Sequence, residues 1–248
     1  MAWGRWRQVS RAPHALITPH ARLPLTAVVL LCVAVVIALG VHYAGHTAAG
    51  PLDASVDHWV QGRLGLTSVP LTVLTWLGDQ AEVTLITIAA TLGCLLARWW
   101  RGAVLALLAA PVSALLTEDI LKPVIGRTIG GAVFAPNGQL VSVAALSMPS
   151  GHTTAVFTLA TLAAVLLIRP GGRLRYLIVA AAYLLATAVA MAMIAQNFHY
   201  FTDVISGAAV GTGTVLTGAL AIDALAAPVW ARVRRAAGTH PRTSPGPN

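Results

Sequence analysis

Residues 176–222 read YLIVAAAYLLATAVAMAMIAQNFHYFTDVISGAAVGTGTVLTGALAI. The first twenty carry no charge, which is the length a helix needs to cross a hydrocarbon core about 30 Å thick. A second charge-free run fills 204–222. Between the two stand His199 and Asp203, polar residues held at one membrane face. Working outward, further apolar runs cover 23–43, 83–97, 102–117 and 153–168, three of them short enough to need residues from their flanks. Long charge-free runs without period-2 alternation favour helices over a barrel. The sequence therefore predicts an all-α integral membrane protein, a six-helix bundle with one domain over 23–226 between tails at 1–22 and 227–248.

Composition excludes other classes. Hydrophobic residues make up 57% and charged residues 10% of the 248, against about a quarter charged in soluble domains. That rules out an ordinary water-soluble globule, a disordered chain and a nucleic-acid-binding domain. The net charge is +8, from 15 arginines and the single Lys122 among the cations. Arginine use, with abundant Ala, Gly and Val, points to a high-GC bacterial genome. Cys32 and Cys94 lie in apolar runs and form no disulfide framework or metal cluster.

Placement of the cations gives an orientation. The two tails and the connections after the second and fourth runs hold 13 of the 16 basic residues, leaving Arg63, Lys122 and Arg127 on the other side. The positive-inside bias puts both termini in the cytoplasm, so the basic tails are orientation signals and not nucleic-acid patches. A multi-pass protein of the plasma (inner) membrane is expected. The first apolar run exceeds the 7–15 residues of a secretory signal, so it reads as a retained helix. Trp99, Trp100 and Trp230 fall at cytoplasmic ends, and Trp59 and Trp76 on the outer side, as interfacial anchors. In the outer segment 45–80, Leu52, Val56, Trp59, Val60 and Leu64 recur at helical spacing with Asp53, Asp57, His58 and Gln61 between them. The pattern predicts an amphipathic helix lying on the outer leaflet. Gly207-x3-Gly211 permits close packing between helices of one chain. The end of the chain, from about 237, reads as disordered.

Polar groups in a membrane chain are expensive, so each is a functional candidate. They gather at the outer face. His199 and Asp203 are four apart; on a helix they share a face, and the carboxylate can hold the imidazole by Nδ1. A capping Asp beside an interfacial His is the plainer alternative. In Pro149-Ser150-Gly151-His152, Ser150 is a candidate N-cap, and the helix start offers free N–H groups to an anion. His152 there can donate a proton to a leaving oxygen; an incidental His in a capping turn is the alternative. Lys122 follows Glu118 by four and Asp119 by three. It reads either as an i,i+4 ion pair or, with Arg127, as a phosphate clamp.

The order Lys122-x4-Arg127, Pro149-Ser-Gly-His152, His199-x3-Asp203 in such a chain resembles the type 2 phosphatidic acid phosphatase (PAP2) superfamily over about residues 60–222. The resemblance implies a lipid phosphate substrate, no metal and no other cofactor. It implies that His199 attacks phosphorus, Asp203 supports it, and His152 protonates the leaving oxygen. Lys122, Ser150 and the Gly151 amide would hold phosphate oxygens. The sequence departs from the family pattern where Ile129 and Gly130 replace the Arg-Pro closing the first motif, and where Met193 replaces the arginine of the third. Arg127 is the expected partial replacement. The functional expectation is a membrane phosphatase acting on a polyprenyl (di)phosphate, phospholipid phosphate or other phosphorylated envelope lipid. A lipid phosphotransferase and a low-activity lipid-phosphate binder are the alternatives.

Overall fold

The computed structural model describes residues 15–64, 69–134, 140–167 and 172–238. Arg5, Arg7, Arg11, Arg169 and Arg242, and most of the segment expected to be disordered, lie outside them. Helices stand on all six apolar runs: α1 (Pro19–Tyr43), α4 (Gln80–Leu96), α5 (Trp100–Ala114), α7 (Gly151–Leu167), α8 (Arg173–Ala195) and α9 (Phe201–Gly238). Two more, α2 (Pro51–Leu64) and α3 (Val69–Trp76), precede α4. Among the described residues, four helices are long and apolar enough to cross a membrane alone: Pro19–Tyr43, Trp100–Ile125, Arg173–Ala195 and Phe201–Ala227. The helices α3 and α4 pass that test only as a pair, bent by 53°. With 17 residues, α7 spans about 26 Å, short of a full crossing. The third span reaches its length because α5 continues through π-helical turns (Leu115–Leu121) into α6 (Lys122–Ile125). Its end is set by Gly126, whose φ of 65° puts it in the left-handed region that glycine adopts without a Cβ penalty.

Three features were not anticipated. A hairpin of β1 (Thr128–Phe134) and β2 (Leu140–Leu146) pairs antiparallel, Thr128 opposite Leu146. The last helix runs on to Gly238, beyond the expected end of the membrane domain. And α2 turns a different face inward. The expectation was an apolar stripe on the leaflet with the acids in water. Instead Asp53, Asp57 and Val60 are buried, while Leu52 and Trp59 remain more than half exposed. The reason lies in α9, whose first N–H groups have no partner within their own helix. Asp57 Oδ1 accepts from Phe201 N–H (3.1 Å) and Asp53 Oδ1 from Thr202 N–H (2.9 Å). Thus α2 caps α9 from across the fold, and its Leu52 and Trp59 side is left for the bilayer surface.

The core has two main bodies. Leu105, Ala106 and Ala109 of α5 meet Leu162 of α7 and Val215 and Ala219 of α9. Val60 and Leu71 meet Ala190, Ile194 and Val204 of α8 and α9. Between α7 and α9 the approach is closest. A Cβ on Gly207 would come within 2.6 Å of Ser150 O, and one on Gly211 would strike Thr154 O. The glycine pair therefore packs within the chain, against the first turns of α7. At the far end of α5 and α9, buried Arg101 pairs with Asp223 (2.9 Å), which also accepts from Leu16 and Ile17 N–H (3.0 and 2.8 Å).

Candidate active site

The glycine stripe of α9 draws the start of α7 onto the start of α9. Ser150 N–H donates to Asp203 O at 3.0 Å, so the two C-terminal motifs share a backbone bond. Thr117 and Thr154 hydroxyls meet at 3.2 Å and bring in the end of the α5 span. All three polar segments thereby converge at one end of the bundle.

Lys122, Gly151, His152 and His199 line one cavity of about 840 Å³. It continues between α4 and α5, past Thr84, Thr87, Ile88, Thr91, Leu107 and Pro111. Lys122 Nζ bonds Glu118 Oε2 at 2.7 Å, so it is both an i,i+4 partner and a cavity cation. Gly151 has its own reason: a Cβ there would collide with the Glu118 carboxylate, which lies over the first turn of α7. Ile129 and Met193 also line the cavity. The two positions where the family pattern places arginines thus face the site as apolar side chains.

His199 does not open α9; it sits in the Gln196–Tyr200 connection, just before the helix starts at Phe201. Helical i,i+4 geometry is therefore not what brings it to Asp203. Its Nδ1 lies 3.7 Å from Asp203 Oδ2, too far for a hydrogen bond, and has no other partner. Asp203 is committed elsewhere, to Arg127 Nη1 (2.7 Å) and Tyr200 N–H (3.0 Å).

Two expected phosphate ligands do not reach the cavity. Arg127 is fully buried. Its Nη1 also donates to Thr202 Oγ1 (2.7 Å), and its Nη2 pairs with Asp53 Oδ2 (2.5 Å). The guanidinium lies between the Tyr43 and Tyr200 rings, 4.1 and 4.5 Å from their centroids. The expectation of a phosphate clamp is corrected by that geometry: Gly126 turns the chain inward, and two carboxylates take the charge. Ser150 is fully buried as well, and its Oγ accepts from Thr153 Oγ1 (3.0 Å) and Thr153 N–H (3.4 Å), a capping arrangement.

The structure adds Asp79, whose Oδ1 is 2.9 Å from His152 Nε2 and which also lines the cavity. A carboxylate that follows Gly78 just ahead of an apolar run was the available signal. Asp57, beside the Arg127 cluster, has its pKa pushed up to about 7 by burial and by the charge of Asp53. Among the described residues no group of three or more His, Cys, Asp or Glu is placed to hold a metal ion.

Fold and cavity define an integral membrane protein with a histidine-lined chamber at one end of its helix bundle. The PAP2 superfamily profile matches residues 102–225, half of the chain, and the chain belongs to that superfamily. Two solved structures are similar in fold. One is the transmembrane PAP2-type phosphatidylglycerolphosphate phosphatase of Bacillus subtilis, at 20% identity over 78% of this chain and 93% of that one, with a TM-score of 0.55. The other is LpxE of Aquifex aeolicus, at 20% identity over 68% of this chain and 95% of that one, with a TM-score of 0.48. No curated protein is significantly similar in sequence.

Proposed function

We propose that the protein is a membrane lipid phosphatase working through His199. The observation that carries this reading is the shared cavity, in which one lysine, a helix start and two histidines meet at the head of a groove between α4 and α5. A phosphate fits the polar head, beside Lys122 and the free amides of α7. The lipid chain fits the groove. The PAP2-type phosphatidylglycerolphosphate phosphatase of Bacillus subtilis, similar in fold, points the same way.

In the first step His199 Nε2 attacks phosphorus. The bond from phosphorus to the lipid oxygen breaks with its electron pair on oxygen, and His152 supplies the proton that turns it into an alcohol. In the second step water attacks the phosphohistidine, gives its proton to His152, and releases inorganic phosphate and free His199. One guanidinium against the carboxylates of Asp53 and Asp203 leaves negative charge beside His199, which favours the cationic ring of the intermediate. Polyprenyl (di)phosphates, phospholipid phosphates and other phosphorylated envelope lipids are the substrate classes, with the site on the outer face of the plasma membrane.

A second reading has its own observation. Among the described residues Lys122 is the only lysine or arginine on the cavity wall, it is paired with Glu118, and Ile129 and Met193 line the same cavity. Slow hydrolysis, transfer of the phosphoryl group to another lipid, or binding alone would follow from so little positive charge. The deciding experiment is phosphate release by purified protein from a panel of lipid phosphates, with and without chelator. Release that survives EDTA and is lost in His199→Ala is expected. Lipid phosphate binding without release, or transfer to a second lipid, would overturn the hydrolase reading.

A further inference from the structure

We propose that Asp79 is a positioning residue of this site: its carboxylate holds His152 by Nε2, so that the proton of the reaction passes through Nδ1. The proposal rests on the phosphatase reading. Three observations carry it. Asp79 Oδ1 lies 2.9 Å from His152 Nε2, and both residues line the cavity with His199. Asp79 occupies the N-cap position of α4, where a carboxylate ordinarily accepts an N–H of the helix's own first turn. Here it makes no side-chain cap bond; it is spent on the histidine instead. The turn is also shaped for that contact. Gly78 and Asp79 N–H donate to Thr75 O and Trp76 O at 2.9 and 3.0 Å, winding the end of α3 once more. Gly78 then lies flat against the imidazole, where a Cβ would come within 3.0 Å of His152 Cδ2 and 3.1 Å of its Cβ. A larger residue at 78 would push the turn, and Asp79 with it, off the ring.

The chemistry needs such a contact. A neutral imidazole has two tautomers, and the partner of one nitrogen decides which is present. With Nε2–H given to Asp79, the imidazolium surrenders Nδ1–H to the lipid oxygen as the phosphorus–oxygen bond breaks. The ring left behind keeps Nε2–H, and its Nδ1 lone pair takes the proton from the water that cleaves the phosphohistidine. Atoms and charge balance with no further reactant. Among the described residues, the other charged or titratable groups lining the chamber are Glu118 and Lys122, from the end of the α5 span, and His199, from the α8–α9 connection. None is bonded to His152.

The test compares Asp79→Ala, Asp79→Glu, His152→Ala and the Asp79→Ala/His152→Ala double variant on two substrates. One is a long-chain lipid phosphate, whose alkoxide needs a proton to leave. The other is 4-nitrophenyl phosphate, whose leaving group does not. A general acid is worth about 10²–10⁴ in rate, and loss of its positioning on the order of tenfold. Asp79→Ala should lower kcat on the lipid phosphate about tenfold, with KM within about twofold and a loss several-fold smaller on the aryl phosphate. Asp79→Glu should recover most of the rate, and the double variant should be no slower than His152→Ala. Equal losses on both substrates, a change in KM alone, or losses that multiply in the double variant would overturn the role of Asp79 and leave the phosphatase reading standing. A His152→Ala protein indifferent to the leaving group would overturn the roles of both His152 and Asp79, since no proton transfer would remain to direct, whereas absence of phosphate release from either substrate by the parent protein would overturn the phosphatase reading itself.

Discussion

Arg127 sits where charge is hardest to keep. It has no exposed surface, yet it is held by two carboxylates, a threonine hydroxyl and two phenol faces. Cation–π contacts and charge-assisted bonds are strongest in such dry surroundings. Removing one partner leaves the others buried and unpaired, which costs about 3–5 kcal/mol. Arg127→Ala should therefore lower the melting temperature sharply, while Lys122→Ala should melt like the parent and lose phosphate release. Thermal melts in detergent alongside activity assays separate the two, and an Arg127→Ala protein with the parent's melting temperature would contradict the structural role. Asp57 belongs to the same cluster and carries a sign that can be checked. Its pKa is raised to about 7 in the fold, against about 4 in an unfolded chain. The unfolded state thus loses its proton first, and ionisation erodes stability progressively between about pH 4 and pH 7, with a constant penalty above that. Asp57→Asn keeps an oxygen for Phe201 N–H and removes the titration. Its gain in melting temperature should grow from pH 4 to pH 7 and then level off; a gain independent of pH would show that Asp57 ionises as an exposed carboxylate does.

At the scale of elements, the pairing of α7 with α9 joins the motifs, and much of it is legible in the sequence. Gly207-x3-Gly211 marks a face for close approach, and Ser150 and Gly151 mark a helix start. What spacing alone does not give is the partner. The close approach of Gly207 to Ser150 O and of Gly211 to Thr154 O, where an added Cβ would collide, fixes α7 as that partner. The face of α2 was misread for a physical reason. Leu52, Val56 and Trp59 recur at a period suited to lipid, and nothing local shows that Asp53 and Asp57 serve groups about 150 residues away. Arg127 was misread in the same way, because sequence proximity to Lys122 says nothing of the inward turn at Gly126. The hairpin has a readable signal in Asn137-Gly138 and the alternation of Val141-Ser142-Val143, weaker than that of the long apolar runs on either side. His199 lines the cavity, but the helix expected to carry it begins two residues later. Nothing local to Asp79 shows its partner, because His152 is 73 residues distant.

The whole molecule has two unlike ends. At one, Arg101 and Asp223 hold the backbone of Leu16 and Ile17 in a buried clasp. At the other lie Lys122, His152, His199 and the hairpin. Because α5 runs from Arg101 towards Lys122 and α9 from Asp203 to Asp223, the clasp and the cavity occupy opposite ends of the same helices. By sequence, the two tails and the connections after the second and fourth apolar runs carry 13 of the 16 basic residues, and cytoplasmic loops of membrane proteins carry the excess of Lys and Arg. The clasp should therefore face the cytoplasm and the cavity the outer side, which suits a substrate presented by the outer leaflet. His20 and His46 are exposed positions near the two ends, with His46 O accepting from Thr128 N–H at the foot of the hairpin. In a chain with Cys32 and Cys94 replaced by Ala, His46→Cys should react with a membrane-impermeant maleimide in intact cells. His20→Cys should react only once the membrane is opened. The reverse pattern would put the cavity on the cytoplasmic side and confine the substrate to a lipid of the inner leaflet. Equal labelling of both in intact cells would mean that the charge bias does not fix the insertion of this chain.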